Sequence, residues 1–198
     1  MKNILLSLLL VTSVVFASAQ QELITRLDKM NSFTAIFNQT VISPEGEVIS
    51  EAEGNLAMQR PNLFNWKTIF PDETLLVSDG RTLWYYNKFI EQVTAMWLDD
   101  AASQTPFVLL TRNNPRDWQN YNVRQNEDTF VLSPKNLSNM GKFVVSVRKD
   151  GCIIGFSVVA EDGQTSFFTL KNVKDELPSI LLFRFTVPEG IELDDQRQ

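Results

Sequence analysis

Apolar and polar residues alternate with a period of two along most of this chain, which is the pattern of β-strands with one buried face. The first clear example places Phe33, Ala35 and Phe37 on one face, and a turn at 43–46 leads into the next extended segment. Tight-turn signals such as Asp79-Gly80 separate later segments. The predicted strands are 33–39, 48–58, 64–70, 75–78, 82–86, 89–95, 121–125, 129–133, 142–148, 153–159, 165–173 and 182–187.

Two segments interrupt the alternation and have the spacing of short amphipathic helices. In 21–31, apolar residues recur every three or four positions between charged ones. In the region 99–112, Thr105 followed by Pro106 predicts an N-cap with proline at the first helical position. Phe107 and Leu110 then share a face, and the Asn-Asn-Pro sequence at 113–115 predicts the end of the helix.

So many short strands joined by tight turns indicate a mainly β fold, a large antiparallel meander that curls and has one concave face. Alternation places these residues on the concave face: Phe33, Phe37, Phe64, Trp66, Ile154, Phe156 and Val158. The helices are too short to be stable alone and must cover something. They cover either an aromatic-lined hollow or a solid core. The pattern by itself slightly favours the solid core, because aromatic stripes are usually core.

The first 19 residues have the layout of a secretory signal peptide. Lys2 is followed by an uncharged apolar run that ends at Phe16, and Ala17-Ser18-Ala19 is a small-residue cleavage site. The sequence therefore predicts a signal peptide at 1–19, export from the cytoplasm and a single domain at 20–198. No cysteine follows the cleavage site, so we do not expect the chain itself to be lipid-anchored.

Composition excludes several classes of function. The chain has no histidine, which removes histidine-based triads, dyads and zinc sites. Its formal net charge of −6 does not suit a nucleic-acid binder. Cys152, the one cysteine, lies in a strand-like run and is expected to be a buried, inert thiol. We therefore expect no catalytic residue, no metal and no cofactor.

A series of short motifs, in the same order along nearly the whole predicted mature chain, resembles the periplasmic outer-membrane lipoprotein carrier family, LolA. They include RPNLFNW at 60–66, PDE at 71–73, LVSDG at 76–80, TLW at 82–84, TPF at 105–107, DWQ at 117–119, DG at 150–151 and DDQR at 194–197. One such motif would be weak, but this many collinear motifs make a specific match.

The resemblance implies a soluble, monomeric shuttle built as an unclosed antiparallel half-barrel of about eleven strands. Its short helices are expected to form a lid over a hydrophobic cavity. The expected cargo is acylated lipoproteins, received from an inner-membrane ABC-type lipoprotein-releasing complex and delivered to an outer-membrane lipoprotein receptor.

The resemblance also assigns roles to particular residues. Arg60 matches the family's arginine that bonds to the lid, while Leu110 on the lid and Phe156 on the sheet match positions where lid meets cavity. Leu76 is a further cavity candidate, although the inward face of the strand 75–78 is not settled by its pattern, since Leu75 and Val77 compete for it.

Three other functions remain open from the sequence. One is a periplasmic sensor of stray lipid or lipoprotein, although such relatives usually have a second domain. Another is the lipoprotein receptor itself, which the missing lipidation cysteine disfavours. The third is a lipid-modifying enzyme, but the polar group of Ser103, Thr105, Asp99 and Asp100 has the character of helix capping and a solvated face.

Overall fold

The structure is a computed structural model that describes residues 18–102, 106–112, 114–135 and 141–197. The strands are β1 (Ser32–Ile42), β2 (Val48–Gln59), β3 (Leu63–Phe70), β4 (Thr74–Asp79), β5 (Thr82–Asn87), β6 (Gln92–Trp97), β7 (Tyr121–Asn126), β8 (Thr129–Pro134), β9 (Phe143–Val147), β10 (Ile153–Val159), β11 (Thr165–Lys174) and β12 (Glu192–Asp195). The helices are α1 (Ala19–Leu27), α2 (Leu98–Ala102), α3 (Pro106–Arg112), α4 (Pro115–Trp118) and a 3-10 turn at Ile180–Phe183.

All the strands described belong to one unclosed sheet in the order β12-β6-β5-β4-β3-β2-β1-β11-β10-β9-β8-β7. Neighbours that follow each other in the chain pair antiparallel, and β1 pairs antiparallel with β11. β12 adds to the edge in the parallel sense, beside β6. The predicted mainly β half-barrel is confirmed, with the parallel edge strand as a departure from the expected meander.

The sheet curls strongly enough to bring distant strands into contact. Trp66 on β3 and Phe156 on β10 are separated by four strand spacings, about 19 Å along a flat sheet. Their ring centroids lie 6.0 Å apart. Trp66 also lies 5.4 Å from Phe168 on β11. Aromatic side chains from distant strands therefore meet on the concave face and form one shared core.

The helical predictions are confirmed in outline and shifted in their bounds. The first helix, expected at 21–31, ends at Leu27, and the second region divides into α2 and α3. Helix α3 begins at Pro106 and ends at Arg112 as expected. The predicted cap Thr105, Ser103 and the apolar part of the predicted signal peptide lie outside the described residues. The predicted strand at 182–187 is wrong, because Leu182 and Phe183 end the 3-10 turn and 184–187 has no regular secondary structure.

Ile154 corrects the predicted concave face. Its side chain is 41% exposed, whereas Ile153 and Phe156 are buried. The register explains the error: Ile153 pairs with Val147 but Gly155 pairs with the adjacent Ser146, so Ile154 is the extra residue of a β-bulge. A strict period of two therefore fails across this position.

The core lies between the concave face and the helices. Cys152 is buried there as expected, and burial raises the pKa of its thiol. Among the described residues, no helix combines the length and apolar character needed to cross a membrane.

Candidate functional site

An apolar pocket of about 260 Å³ opens on the concave face beneath α3. Its walls come from β1, β3, β4, β5, β10, β11 and the lid. The lining residues are Gln39, Trp66, Thr68, Thr74, Leu76, Tyr85, Phe107, Phe156, Val158 and Phe168. A well-packed interior leaves few voids larger than a water molecule, whose share of liquid volume is about 30 Å³. The concave face is therefore not a completely filled core.

Strand register explains why the wall residues converge. Trp66 pairs with Leu76, and Leu76 pairs with Tyr85, so three adjacent strands present these side chains to the same face. On the other side of the pocket Phe156 pairs with Phe168, and their rings stack at 4.5 Å. The inward face of β4, which the sequence pattern left open, is thereby settled in favour of Leu76.

Phe107 attaches the lid helix to this aromatic wall. Its ring centroid lies 5.0 Å from that of Trp66, 5.5 Å from Phe64 and 5.7 Å from Phe156. The side chain of Phe107 is 6% exposed. The lid is thus held down by apolar contacts that another apolar group can replace.

The remaining predicted site residues lie deeper than the pocket. Phe33, Phe37, Phe64 and Leu110 are completely buried, in the core that borders it. Phe37 supports the pocket wall directly, since its ring lies 4.3 Å from Trp66. The structure therefore brings together every predicted cavity and lid residue except Ile154, and divides them into a deep layer and an open layer.

Arg60 joins the two helical parts of the cover. Its Nε and Nη2 both donate to the Leu110 carbonyl of α3, at 3.0 and 2.8 Å, and Nη1 donates to the Met30 carbonyl just beyond α1. Arg60's backbone N–H also donates to the Asn31 carbonyl at 2.7 Å. A planar guanidinium suits this task because its five donors point in fixed directions.

Burial lowers the pKa of Arg60 to about 10, and the nearby charge of Asp28 partly opposes this shift. The guanidinium therefore remains charged at neutral pH. Its location puts a charged, hydrogen-bonded group at the point where α3, the helix that carries the pocket residue Phe107, meets the sheet.

Phe168 is a wall residue that the sequence pattern did not identify. Its alternation with Leu170 was a usable signal, because both face inward on β11. The neighbouring Phe167, which is 45% exposed, obscures that alternation. In the part of the chain that the structure describes, no group of three or more His, Cys, Asp or Glu residues is placed to hold a metal ion.

Comparisons with known proteins agree with this geometry. A family model described as "Outer membrane lipoprotein carrier protein LolA" matches residues 28–186. The chain is 58% identical over 190 residues to the outer-membrane lipoprotein carrier protein of Photobacterium profundum, covering 96% of this chain and 95% of that relative. It is 54% identical to the protein of the same name from Aliivibrio salmonicida, over the full length of both.

Solved structures share the fold at much lower identity. An uncharacterized conserved protein from Thermus thermophilus matches with a TM-score of 0.59 and 12% identity, covering 90% of this chain and all of that one. A LolA superfamily protein from Nitrosomonas europaea matches with a TM-score of 0.52 and 12% identity, covering 85% and 99%.

Proposed function

Since the chain belongs to the outer-membrane lipoprotein carrier (LolA) family, we propose that it is a periplasmic chaperone that carries acylated lipoproteins and shields their acyl chains on its concave face. The observation that carries this proposal is the aromatic pocket beneath α3, whose cover is held by Phe107 and Arg60.

The physical need for such a carrier is large. Burying one methylene is worth about 0.8 kcal/mol, so three chains of about 15 methylenes would expose on the order of 35 kcal/mol of apolar surface in water. A lipoprotein released from a membrane therefore requires a continuous apolar shelter until it reaches the next membrane.

The pocket as it stands is smaller than the cargo. About 260 Å³ lies below the range of about 300–1,000 Å³ that pockets for drug-sized ligands occupy. Acyl chains must therefore displace Phe107 and with it α3. On displacement, Phe107 exchanges its ring neighbours for acyl chains, whereas the Arg60–Leu110 hydrogen bonds break and have to be replaced by hydration.

The loss of the Arg60–Leu110 hydrogen bonds on opening gives the carrier a way to release its cargo without nucleotide. The cost of opening the cover offsets part of the free energy gained by burying acyl chains. The cargo is then bound tightly enough to travel and weakly enough to leave. The proposed donor is the inner-membrane ABC-type lipoprotein-releasing complex, and the proposed acceptor is an outer-membrane lipoprotein receptor.

The decisive experiment incubates the mature protein with inner-membrane vesicles that contain the releasing complex, ATP and a radiolabelled lipoprotein. We expect a soluble one-to-one complex, which passes the label to receptor-containing outer-membrane vesicles. A matched incubation with the same lipoprotein lacking its acyl chains should give no complex. Release of label without any stable complex would contradict the proposal.

A further inference from the structure

Arg26 on α1 is a buried cation outside the pocket. It is 3% exposed, although it lies on a short helix at the surface of the sheet. Its Nε donates to Glu22 at 2.7 Å, and its Nη1 donates to Asp128 at 2.6 Å and to the Val147 carbonyl at 2.8 Å. The guanidinium also lies over the Phe130 ring, 5.2 Å from its centroid.

The contacts of Arg26 with Asp128 and the Val147 carbonyl connect α1 to the β7–β8 turn and to the end of β9, whereas Glu22 lies on α1 itself. Asp128 is 46% exposed, but the hydrogen bond from Arg26 to the Val147 carbonyl is buried. A buried charge that loses a partner is unfavourable, so the attachment resists separation. Helix α1 needs such an attachment. The cap residue Ser18 precedes the predicted cleavage site after Ala19, and an uncapped helix of this length is not stable alone.

The chain just after Arg26 is fixed to the same part of the sheet. Lys29 Nζ donates to the Lys149 carbonyl at 2.7 Å. Gly151 packs so closely that a Cβ there would lie 2.6 Å from the Arg26 carbonyl oxygen and 3.1 Å from the Met30 nitrogen. The Met30 carbonyl, which accepts from Arg60, is therefore held in place relative to β9 and β10.

Helix α3 is attached in a different way. Phe107 contacts aromatic rings that acyl chains can also contact. Arg112 pairs with Asp99, which is 84% exposed, and with Asp117 of the neighbouring helix α4, which is 22% exposed. Exposed ion pairs contribute little to stability. Apolar cargo can thus replace the ring contacts that hold α3, while the Arg60–Leu110 hydrogen bonds have to be replaced by hydration. It offers nothing that could replace the partners of Arg26.

We propose that Arg26 is a positioning residue that keeps α1 as the fixed half of the cover, so that opening breaks the Arg60–Leu110 contact and leaves the Arg60–Met30 contact in place. The inference rests on the proposed carrier function only for its role in release. The movement belongs to the protein alone, and it can be tested without cargo.

The first test is hydrogen–deuterium exchange of the mature protein, comparing wild type with Arg60→Leu. Removing the Arg60 side chain frees α3, so its amides should exchange about tenfold faster, while those of α1 change less than about twofold. Equal acceleration in both helices would show that they move as one cover and would overturn the proposal. Absence of cargo binding would count against the proposed function and would leave this comparison valid.

The second test compares Arg26→Gln with Arg26→Lys and with Arg124→Gln, which removes an exposed arginine from β7. Arg26→Gln should speed exchange in α1 about tenfold, Arg26→Lys should restore part of the protection, and the control should match wild type. If Arg26→Gln does not fold, Arg26→Lys carries the test. Unchanged α1 exchange in either folded Arg26 variant would refute the assignment.

A third readout separates positioning from simple stabilisation. Release of a tripalmitoylated lipopeptide to receptor-containing vesicles should slow in Arg26→Gln, because Arg60 loses its fixed partner. In an Arg60→Leu background the same substitution should have no further effect on release, while the decreases in unfolding stability still add. Additive effects on release would mean that Arg26 does not act through Arg60.

Discussion

At the scale of single residues, Arg60 is the residue whose hydrogen bonds no other side chain can fully reproduce. Arg60→Leu removes every hydrogen bond to Leu110 and Met30 from the guanidinium. The lid should open more easily, so lipopeptide should load readily. It should transfer to the receptor about tenfold more slowly, because the cost of opening the lid no longer offsets the free energy gained by burying the acyl chains. Transfer assays with fluorescent lipopeptide measure this. Arg60→Lys is the matched variant.

Lysine keeps the charge but has no planar fork, so it cannot hold both carbonyls as arginine does. We expect Arg60→Lys to be intermediate in transfer and close to wild type in thermal stability. Transfer by Arg60→Leu at the wild-type rate would show that Arg60 does not control release.

Phe64 tests whether the concave face behaves as a cavity or as a solid core. Phe64→Glu places a carboxylate in an apolar site, which costs several kcal/mol unless its pKa rises or it reaches water. Since Phe64 contacts Phe107 of the lid, displacement of the lid would hydrate the carboxylate. We expect a folded variant by circular dichroism that does not transfer cargo.

Phe167→Glu is the control, because Phe167 lies on the same sheet and is 45% exposed on the opposite face. It should fold and transfer normally. An unfolded Phe64→Glu protein would support the solid core, and a fully active one would remove Phe64 from the site.

At the scale of elements, the floor of the pocket depends on a close approach between strands. A Cβ at Gly54 would lie 2.0 Å from the Lys67 carbonyl oxygen and 2.7 Å from the Phe37 ring. Gly54→Ala should therefore destabilise the protein by about 1–3 kcal/mol in urea unfolding. Asn55→Ala, on the exposed face of the same strand, should change stability by less than about 0.5 kcal/mol. A Gly54→Ala protein as stable as wild type would contradict this packing.

The lid should not respond to pH in the physiological range. The chain has no histidine, and the pKa of Arg60 is about 10. Opening would hydrate Arg60 and raise its pKa toward the ordinary value of an arginine, so the open form binds the proton more tightly and only pH above about 10 favours closure. Lipopeptide release should therefore be flat between about pH 6 and 9. A sigmoidal change inside that window would point to another titrating group.

At the scale of elements, the sequence pattern predicted some strand faces correctly and others wrongly. Alternation placed Phe33, Phe37 and Phe64 correctly because their strands pair regularly with β2. It failed at Ile154, where an extra residue shifts the faces, because a strict period of two takes no account of a bulge. The isolated Gly155 that follows was a usable signal for one. The segment after β11 also has the composition of a strand, but Ser179 caps a 3-10 turn there, and tertiary packing overrides propensity.

Alternation identified Trp66, Phe156 and Val158 as inward-facing, but it could not show that they leave an open pocket. Periodicity identifies which side chains face inward, but whether they meet depends on the curl of the sheet, which brings β3 against β10. The role of Arg60 required the resemblance to a known family, since Arg60 by its position alone resembles a solvated residue at a strand end. Its partners are main-chain carbonyls, which every sequence contains.

At the scale of the whole molecule, a covered pocket on a half-barrel should bind apolar probes that a filled β-sandwich does not. We expect the mature protein to elute as a monomer and to enhance the fluorescence of an apolar dye such as bis-ANS. Tripalmitoylated lipopeptide should displace the dye, because acyl chains and dye would contact the same wall around Trp66 and Phe156. The same peptide without acyl chains should not compete. Arg60→Leu should bind the dye more tightly, since less free energy is needed to lift α3. Dye fluorescence no greater than for a filled-core β protein, or displacement by the unacylated peptide, would contradict an acyl-chain cavity beneath the lid.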